Sequence, residues 1–497
     1  MPPADPVQLV YIGCAFGGRG DDIEGGHERG ADAARGGVAS VDLHRHAAHP
    51  KGLHEPLATV AVHPRHEDSK SFRVHSCSPF LFGVSLSGGK RYRPGCRPAE
   101  IGGNPITRCA VPTPHNRANG SSEMTPLQDA GVVSPSVPAT EPGPFRILDA
   151  SNPADTAEWC EWWQEWPDRE VMAHPEFVRL FARKGDLILA ATAKTAKGGI
   201  LYPFILRPLS SEPWVPADFT GWDLTTAYGY GGPFAWSATS DEASGFWSLF
   251  DRWARGQKVV TSFARLSVFG DQLLPFDGDA PVNSPNIVRS LEPSEEELWN
   301  DFVPKVRQNV RRARMRGCRL EVDADGARLD EFLHVYTETM KRRNAASYYF
   351  FSRAFFETLV RNLKGHFAFF HVVHEGRVVS SELVLLSQNH AYFFLGGTLA
   401  DAFELRPNEL LQVETFLWCR SAGKKSLVLG GGYRGSEGLL KYKRGFAPGG
   451  EVPFRIGTKV HDPVAAARLT EERRRWEQAH GRAWEPEAGF FPPYRAA

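Results

Sequence analysis

The chain has no run of about 18 apolar residues, the length that a membrane-spanning helix needs. Its first residues also lack the basic and apolar regions of a secretion signal. The seven cysteines form no C-x-x-C pair, which excludes a zinc finger and argues against a disulfide framework. These absences predict a cytoplasmic protein in a reducing compartment, with no membrane span.

An excess of charge is also missing, because 58 Lys and Arg residues balance 58 Asp and Glu residues. That balance argues against a DNA-binding protein, and any basic site must be local. The motifs G-x-S-x-G, Walker A and H-E-x-x-H are absent, which disfavours a hydrolase, a P-loop enzyme and a zinc protease. Gly430, Gly432 and Gly435 match G-x-G-x-x-G, but no β-α-β repeat follows them, so we interpret this as a chance match. We expect no metal site.

Tryptophan is absent before residue 150, although 13 tryptophans follow. Residues 1–123 are rich in histidine, glycine, arginine and proline and show no sustained apolar period. Such a composition cannot bury enough apolar surface to offset the entropy of ordering the chain. We therefore expect residues 1–143 to be a disordered or mis-called N-terminal extension, with Met124 as the true start.

Beyond this extension, helix and strand patterns alternate in two stretches. The first stretch predicts helices at 154–166, 175–183 and 243–255, strands at 186–191, 199–206 and 259–268, and a long loop at 210–236. The second predicts helices at 295–316, 329–343, 353–363 and 407–422, strands at 318–322, 366–374, 378–386, 391–396 and 426–429, and a closing helix at 464–480. Ser294 and Glu297 form a capping box before the first of these helices.

The same order of elements therefore occurs twice, which predicts a duplicated α+β fold with a mixed, largely antiparallel sheet flanked by helices. We expect a first domain at 144–292, a second at 293–460, and a C-terminal helix and tail at 461–497.

A glycine-rich loop follows the last predicted strand of the second stretch. Glycine lets the backbone approach a ligand closely, and a helix start offers unpaired N–H groups. The helix that follows carries Lys441, Lys443 and Arg444. This pattern indicates a site for a group that is negative or becomes so during a reaction, although a tight turn with a solvated basic end has the same pattern.

Two further segments carry candidate site residues. The loop with Asp223, Tyr228 and Tyr230 can present hydroxyls and a carboxylate to a polar ligand, unless it only packs over its own domain. On the helix at 295–316, Arg307 and Arg311 share one face, which suits phosphates but is also typical of a solvated helix.

Glu382 lies inside an apolar strand. It is a candidate base if the sheet buries it there.

Several of these motifs together resemble the FemAB-like branch of the GNAT superfamily, which includes peptidoglycan bridge aminoacyltransferases and BioF-like acyltransferase domains. The motifs are Arg307…Asn309…Arg311-Arg312-Ala…Gly317, Tyr228-Gly-Tyr-Gly-Gly-Pro233, Arg406-Pro-Asn-Glu-Leu-Leu411, and Gly430-Gly…Gly438-Leu-Leu-Lys-Tyr-Lys-Arg-Gly-Phe446. The resemblance covers roughly 145–460 and implies two tandem GNAT-like domains. It also implies amide formation on an amine of a cell-envelope precursor such as a peptidoglycan stem peptide, without a tightly bound cofactor.

The resemblance assigns a role to Lys443, and the chemistry of the other candidate residues completes the expected site. Lys443 matches the family's aromatic-lysine pair and would stabilise an oxyanion, with Tyr442 where the family often has phenylalanine. Asp223 and Tyr230 complete the expected catalytic set, with Asp223 or the substrate taking the proton of the amine. The expected substrate-binding residues are Tyr228, Arg307, Arg311, Tyr433, Arg434 and Tyr442.

The donor stays open between aminoacyl-tRNA and acyl-CoA. Residues 405–412 lack the glycines that cradle a CoA pyrophosphate, and no charged helical arm for tRNA interrupts 300–350. The expected partners are the amine acceptor and tRNA as a carrier, with peripheral membrane contact but no DNA. The alternatives are an N-acyltransferase that uses acyl-CoA or an acyl carrier in polysaccharide or small-molecule biosynthesis, and a non-catalytic GNAT-fold binding protein.

Overall fold

The computed structural model of the protein describes residues 145–432 and 437–496. The predicted N-terminal extension lies outside these residues. The first half consists of strands β1 (Phe145–Asp149), β2 (Leu187–Lys194), β3 (Gly199–Pro208), β4 (Trp222–Thr225), β5 (Phe234–Trp236), β6 (Val259–Arg265) and β7 (Val282–Ser290), with helices α1 (Pro153–Glu165), α2 (Pro175–Arg179) and α3 (Ser240–Gly256).

The second half is richer in helix. Its helices are α4 (Glu295–Asp301), α5 (Pro304–Met315), α6 (Leu329–Arg342), α7 (Arg353–Asn362), α8 (Pro407–Ser421), α9 (Glu437–Arg444) and α10 (Pro463–Ala479). Its strands are β8 (Arg319–Asp323), β9 (Phe367–His374), β10 (Arg377–Leu386), β11 (His390–Thr398), β12 (Ser426–Gly431) and β13 (Glu451–Val460). In the described part of the chain, no helix is both long and apolar enough to cross a membrane.

Local sequence signals place most of these elements, but they do not predict strands β1, β7 and β13, and two predicted elements need correction. The helix predicted at 295–316 is two helices, α4 and α5, because Pro304 begins α5 and disfavours a helical backbone at the preceding Val303. The capping box of Ser294 and Glu297 is confirmed at the start of α4. The loop predicted at 210–236 contains the short strands β4 and β5.

The described strands form one sheet, and its order reveals the duplication. The order is β1-β2-β3-β4-β6-β13-β7-β12-β11-β10-β9-β8, with β5 beside β3. From its outer edge inwards, each half contributes five strands in the same sequence, β1-β2-β3-β4-β6 and β8-β9-β10-β11-β12. The fourth and fifth strands pair in parallel in both halves, and the other neighbours within each half are antiparallel. This arrangement confirms the duplicated α+β fold.

The two halves exchange their sixth strands. β7 follows β6 in the chain but pairs with β12, whereas β13 follows α9 but pairs with β6. β7 and β13 also pair with each other at the centre of the sheet. The predicted boundary between residues 292 and 293 therefore separates β7 from the strand β12 that it pairs with. The C-terminal segment also returns to the first half, where Leu469 and Tyr494 pack with Val260.

Helices cover both faces of the sheet in the second half. Phe369 and Phe370, neighbours on β9, point to opposite faces because side chains alternate along a strand. Phe369 joins a cluster with residues of α6 and α7, and Phe370 joins one with residues of α5 and α8. The first of these clusters also contains residues of α1 and α2, so the halves share a continuous core.

Candidate active site

The parallel strands β11 and β12 separate part of the way along their length. They pair only from His390 opposite Ser426 to Tyr392 opposite Val428, although β11 continues to Thr398 and β12 to Gly431. We call the region beyond these last pairs the strand gap. Helix α8 follows β11 and α9 follows β12, so both helices begin beyond the C-terminal ends of these strands, where the strand gap opens.

Lys443 lies at the β12 side of the strand gap. Its side chain is only 4% exposed, and its Nζ donates a hydrogen bond of 2.6 Å to the carbonyl oxygen of Gly431 at the end of β12. A charge-assisted bond of this kind holds the ammonium in place. Gly431 has to be glycine, because a Cβ there would lie 2.8 Å from the carbonyl oxygen of Pro285. Lys443 is thus a buried lysine that is held at the end of β12 beside the strand gap.

Tyr230 reaches the same strand pair from the first half. Its hydroxyl donates to Oδ1 of Asn286 at 2.8 Å, and Asn286 on β7 is the residue that pairs with Gly431. The ring of Tyr230 also packs against that of Tyr392, with centroids 5.3 Å apart. The structure therefore brings two of the predicted catalytic residues, Tyr230 and Lys443, to one strand pair beside the strand gap.

Tyr228 is half-buried and lies beside β11. Its ring contacts Phe394, with centroids 6.0 Å apart, and Phe181 at 6.1 Å. The guanidinium of Arg265 lies 5.9 Å from the centroid of the same ring. Because Phe394 belongs to the separated part of β11, Tyr228 lies beside the β11 side of the strand gap.

The environment of Asp223 differs from the prediction. The residue is 4% exposed, and its carboxylate accepts hydrogen bonds from Thr261 Oγ1 at 2.8 Å, from Tyr494 OH at 2.6 Å, and from Nε of Arg495. Arg495 also donates to Glu212 at 2.6 Å. Both oxygens of Asp223 are thus occupied by the first half and the C-terminal segment, so this carboxylate is not presented to an acceptor amine.

The two predicted phosphate-binding arginines are used differently. Arg307 donates to the carbonyl oxygens of Asn300 and Phe302, the latter at 2.9 Å, and so caps the C-terminal end of α4. Arg311 is exposed, with its guanidinium 5.4 Å from the centroid of the Trp299 ring. Of the pair, Arg311 is the one that a phosphate can reach in this structure.

Tyr442 precedes Lys443 on α9 and turns towards the interior. Its ring packs against Phe446 with centroids 5.0 Å apart. Burial, followed by the nearby carboxyl groups of Glu409 and Glu382, raises the pKa of the Tyr442 hydroxyl well above its usual value. Two other predicted binding residues, Tyr433 and Arg434, lie outside the described residues.

Glu382 is fully buried on β10, as its apolar strand predicts. It accepts hydrogen bonds from Gln412 and, at 2.6 Å, from Thr415, both on α8. Burial raises its pKa to about 8, and these two bonds only partly oppose the rise. Both carboxyl oxygens are thus engaged by α8 inside the core, so Glu382 is not presented to a substrate as a base.

Two residues at this site escaped the sequence analysis. Asn286 lies on β7, a strand that the sequence does not predict because Pro285 lies within it and proline is unusual inside a strand. Glu170 precedes α2 and is 1% exposed beside the side chains of Ser387, Tyr392 and Gln272. Burial raises the pKa of Glu170 to about 7. Nothing in the local sequence around either residue indicates these contacts.

Comparisons with known proteins give one family match and several similar structures. Residues 302–444 match the family model described as an acetyltransferase (GNAT) domain. The crystal structure of FemX is similar at 13% identity, covering 64% of this chain and 98% of that one, with a TM-score of 0.49. A tandem GNAT protein from the clavulanic acid biosynthesis pathway is similar at 10% identity, covering 64% and 99%, with a TM-score of 0.35. At these values the likeness carries no information about substrates.

No curated protein matches the chain at a significant level of sequence similarity. The matched residues contain the strand gap, α8 and Lys443. Residues 302–444 therefore form an acyltransferase domain of the GNAT superfamily, carried on a duplicated α+β fold.

Proposed function

We propose that the protein transfers an acyl or aminoacyl group to an amine of a cell-envelope precursor, such as a peptidoglycan stem peptide. The observation that supports this most directly is the buried ammonium of Lys443, held at the end of β12 beside the strand gap. A fixed cation in a site with little water stabilises the oxyanion that forms during acyl transfer more strongly than one in water.

The reaction forms a C–N bond as the acceptor nitrogen attacks the donor carbonyl. The ester C–O bond of an aminoacyl-tRNA, or the C–S bond of an acyl thioester, then breaks. Lys443 would stabilise the tetrahedral oxyanion, while Tyr228 and Tyr230 would orient the acceptor and Arg311 would bind its phosphates. Because Asp223 is enclosed by Tyr494 and Arg495, a group of the substrate itself would accept the proton that the amine loses.

The test compares Lys443→Met with Lys441→Met in the full chain. Lys441 lies on the same helix α9 but is exposed, so its substitution removes an equal charge without touching the strand gap. The acceptor is a nucleotide-linked muropeptide, the donors are charged tRNA and acyl-CoA in parallel, and the readout is the mass of the acceptor. We expect a loss of about 10²–10³-fold in kcat for Lys443→Met only. Equal activity of both variants would contradict the role of Lys443.

A second candidate is transfer from acyl-CoA, the co-substrate that GNAT acyltransferases use, in polysaccharide or small-molecule biosynthesis. The match of residues 302–444 to an acetyltransferase (GNAT) domain model favours it. Calorimetry with acetyl-CoA tests this candidate. The candidate is rejected if acetyl-CoA gives no heat of binding while the protein turns over charged tRNA.

A further inference from the structure

Helix α5 and the turn after it carry a concentration of positive charge. Residues 302–320 contain seven Lys and Arg residues and no Asp or Glu, in a chain whose opposite charges balance overall. The seven are Lys305, Arg307, Arg311, Arg312, Arg314, Arg316 and Arg319. This local excess cannot be explained by the composition of the protein as a whole.

Three of these cations have partners inside the protein. Arg307 caps α4, Arg314 pairs with Glu414 at 2.6 Å, and Arg319 pairs with Glu321 at 3.1 Å. The other four are exposed, and within 145–432 and 437–496 none of them forms an ion pair. These four are Lys305, Arg311, Arg312 and Arg316.

An apolar side chain lies among them. Met315 is 79% exposed, follows Arg311 by four residues and Arg312 by three, and so shares their side of α5. The opposite side of α5 packs into the core through Val306 and Val310. We call the exposed surface formed by Arg311, Arg312, Met315 and Arg316 the basic face.

We propose that the basic face docks the protein onto an anionic lipid bilayer. The arginines bind lipid phosphates, and Met315 enters the layer of headgroups between them. Together with Lys305, which lies one heptad before Arg312 on α5, the face presents four exposed cations, and clusters of four to eight are typical of this kind of contact. The proposal shares Arg311 with the acceptor binding proposed above, but it is tested at Arg312 and Arg316, which have no role there. Asn309 of α5 donates to Glu409 at the start of α8 and so joins this helix to the acyltransferase site.

The composition of the face favours lipid over nucleic acid. Proteins that bind single-stranded RNA stack its bases on exposed aromatic rings. Here the neighbouring ring, Trp299, is instead flanked by the guanidinium groups of Arg311 and Arg314 at 5.4 and 5.8 Å from its centroid. An exposed methionine has no use in binding a phosphate backbone, whereas it gains from leaving water in a lipid headgroup layer.

The test is flotation of the full chain with vesicles of phosphatidylcholine, alone or mixed with phosphatidylglycerol. We expect binding only to the mixed vesicles, with a decrease as salt is added. The double substitution Arg312→Gln and Arg316→Gln removes two exposed cations, and each should weaken binding about fivefold, hence roughly 25-fold together. Met315→Gln should weaken binding while leaving its salt dependence unchanged.

The matched control is Arg474→Gln with Arg475→Gln on α10. It removes the same charge, but these arginines are paired with Glu471, Glu472 and Glu485, so we expect unchanged vesicle binding. Equal binding to both kinds of vesicle, or wild-type binding by the Arg312/Arg316 variant, would overturn the proposal. Binding of tRNA without binding of vesicles would overturn it in favour of a nucleic-acid surface. The flotation assay contains no acyl donor, so its result does not depend on whether the proposed reaction occurs.

Discussion

Asp223 and Arg495 form a buried ion pair that a single substitution breaks. Removing one partner of a buried ion pair costs about 3–5 kcal/mol, because the other charge stays buried without its partner. In Asp223→Ala, Arg495 keeps its bond of 2.6 Å to Glu212, so we expect the lower part of this range, about 3 kcal/mol. Asp223→Asn keeps an oxygen that accepts from Thr261 and Tyr494, and should cost less.

The assay combines urea unfolding, followed by tryptophan fluorescence, with turnover at low urea. Trp214 reports on this region because its ring lies 5.9 Å from that of Tyr494. We expect Asp223→Asn to lower the free energy of unfolding and to keep most of the turnover. Loss of a general base would instead lower turnover by about 10²–10⁴-fold.

An Asp223→Asn protein with wild-type stability and little turnover would refute the structural interpretation. A double-mutant cycle of Asp223→Ala and Arg495→Ala checks the pairing, with an expected coupling of about 1–3 kcal/mol.

Two further predictions concern the site. Burial raises the folded-state pKa of Glu382 to about 8 from an ordinary value of 4.5, so the folded protein binds more protons than the unfolded chain between these values. The free energy of unfolding should therefore fall as pH rises through this window, by about 1.4 kcal/mol per unit of pKa difference. Urea titrations at several pH values should show a smaller fall in the free energy of unfolding for Glu382→Gln than for the wild type. Gly431→Ala should cost about 1–3 kcal/mol and slow transfer, because its Cβ meets Pro285. Gly438→Ala, which meets nothing within 4 Å and lies in helix α9, should leave transfer unchanged and should not lower the free energy of unfolding, and equal losses in the two variants would contradict the packing argument.

The sequence predicts most of the second half because its signals are local. The three strands β9, β10 and β11 alternate with tight turns, and α8 begins at a proline that suits a first helical turn. The basic character of α5 and the position of Lys443 after a glycine-rich loop can also be read directly. These features depend on residues a few positions apart, which is the range over which periodicity and capping act.

The tertiary structure alone decided which strands and side chains meet. β7 and β13 complete opposite halves of the sheet, and no local pattern specifies a partner strand so far away in the chain. The same holds for Asp223, whose neighbours Tyr494 and Arg495 come from the other end of the described chain. Local composition determined what each segment can form and where its charge lies. Long-range strand pairing and burial determined that Lys443 and Tyr230 meet beside the strand gap while Asp223 is enclosed, because only the folded sheet brings residues of both halves together.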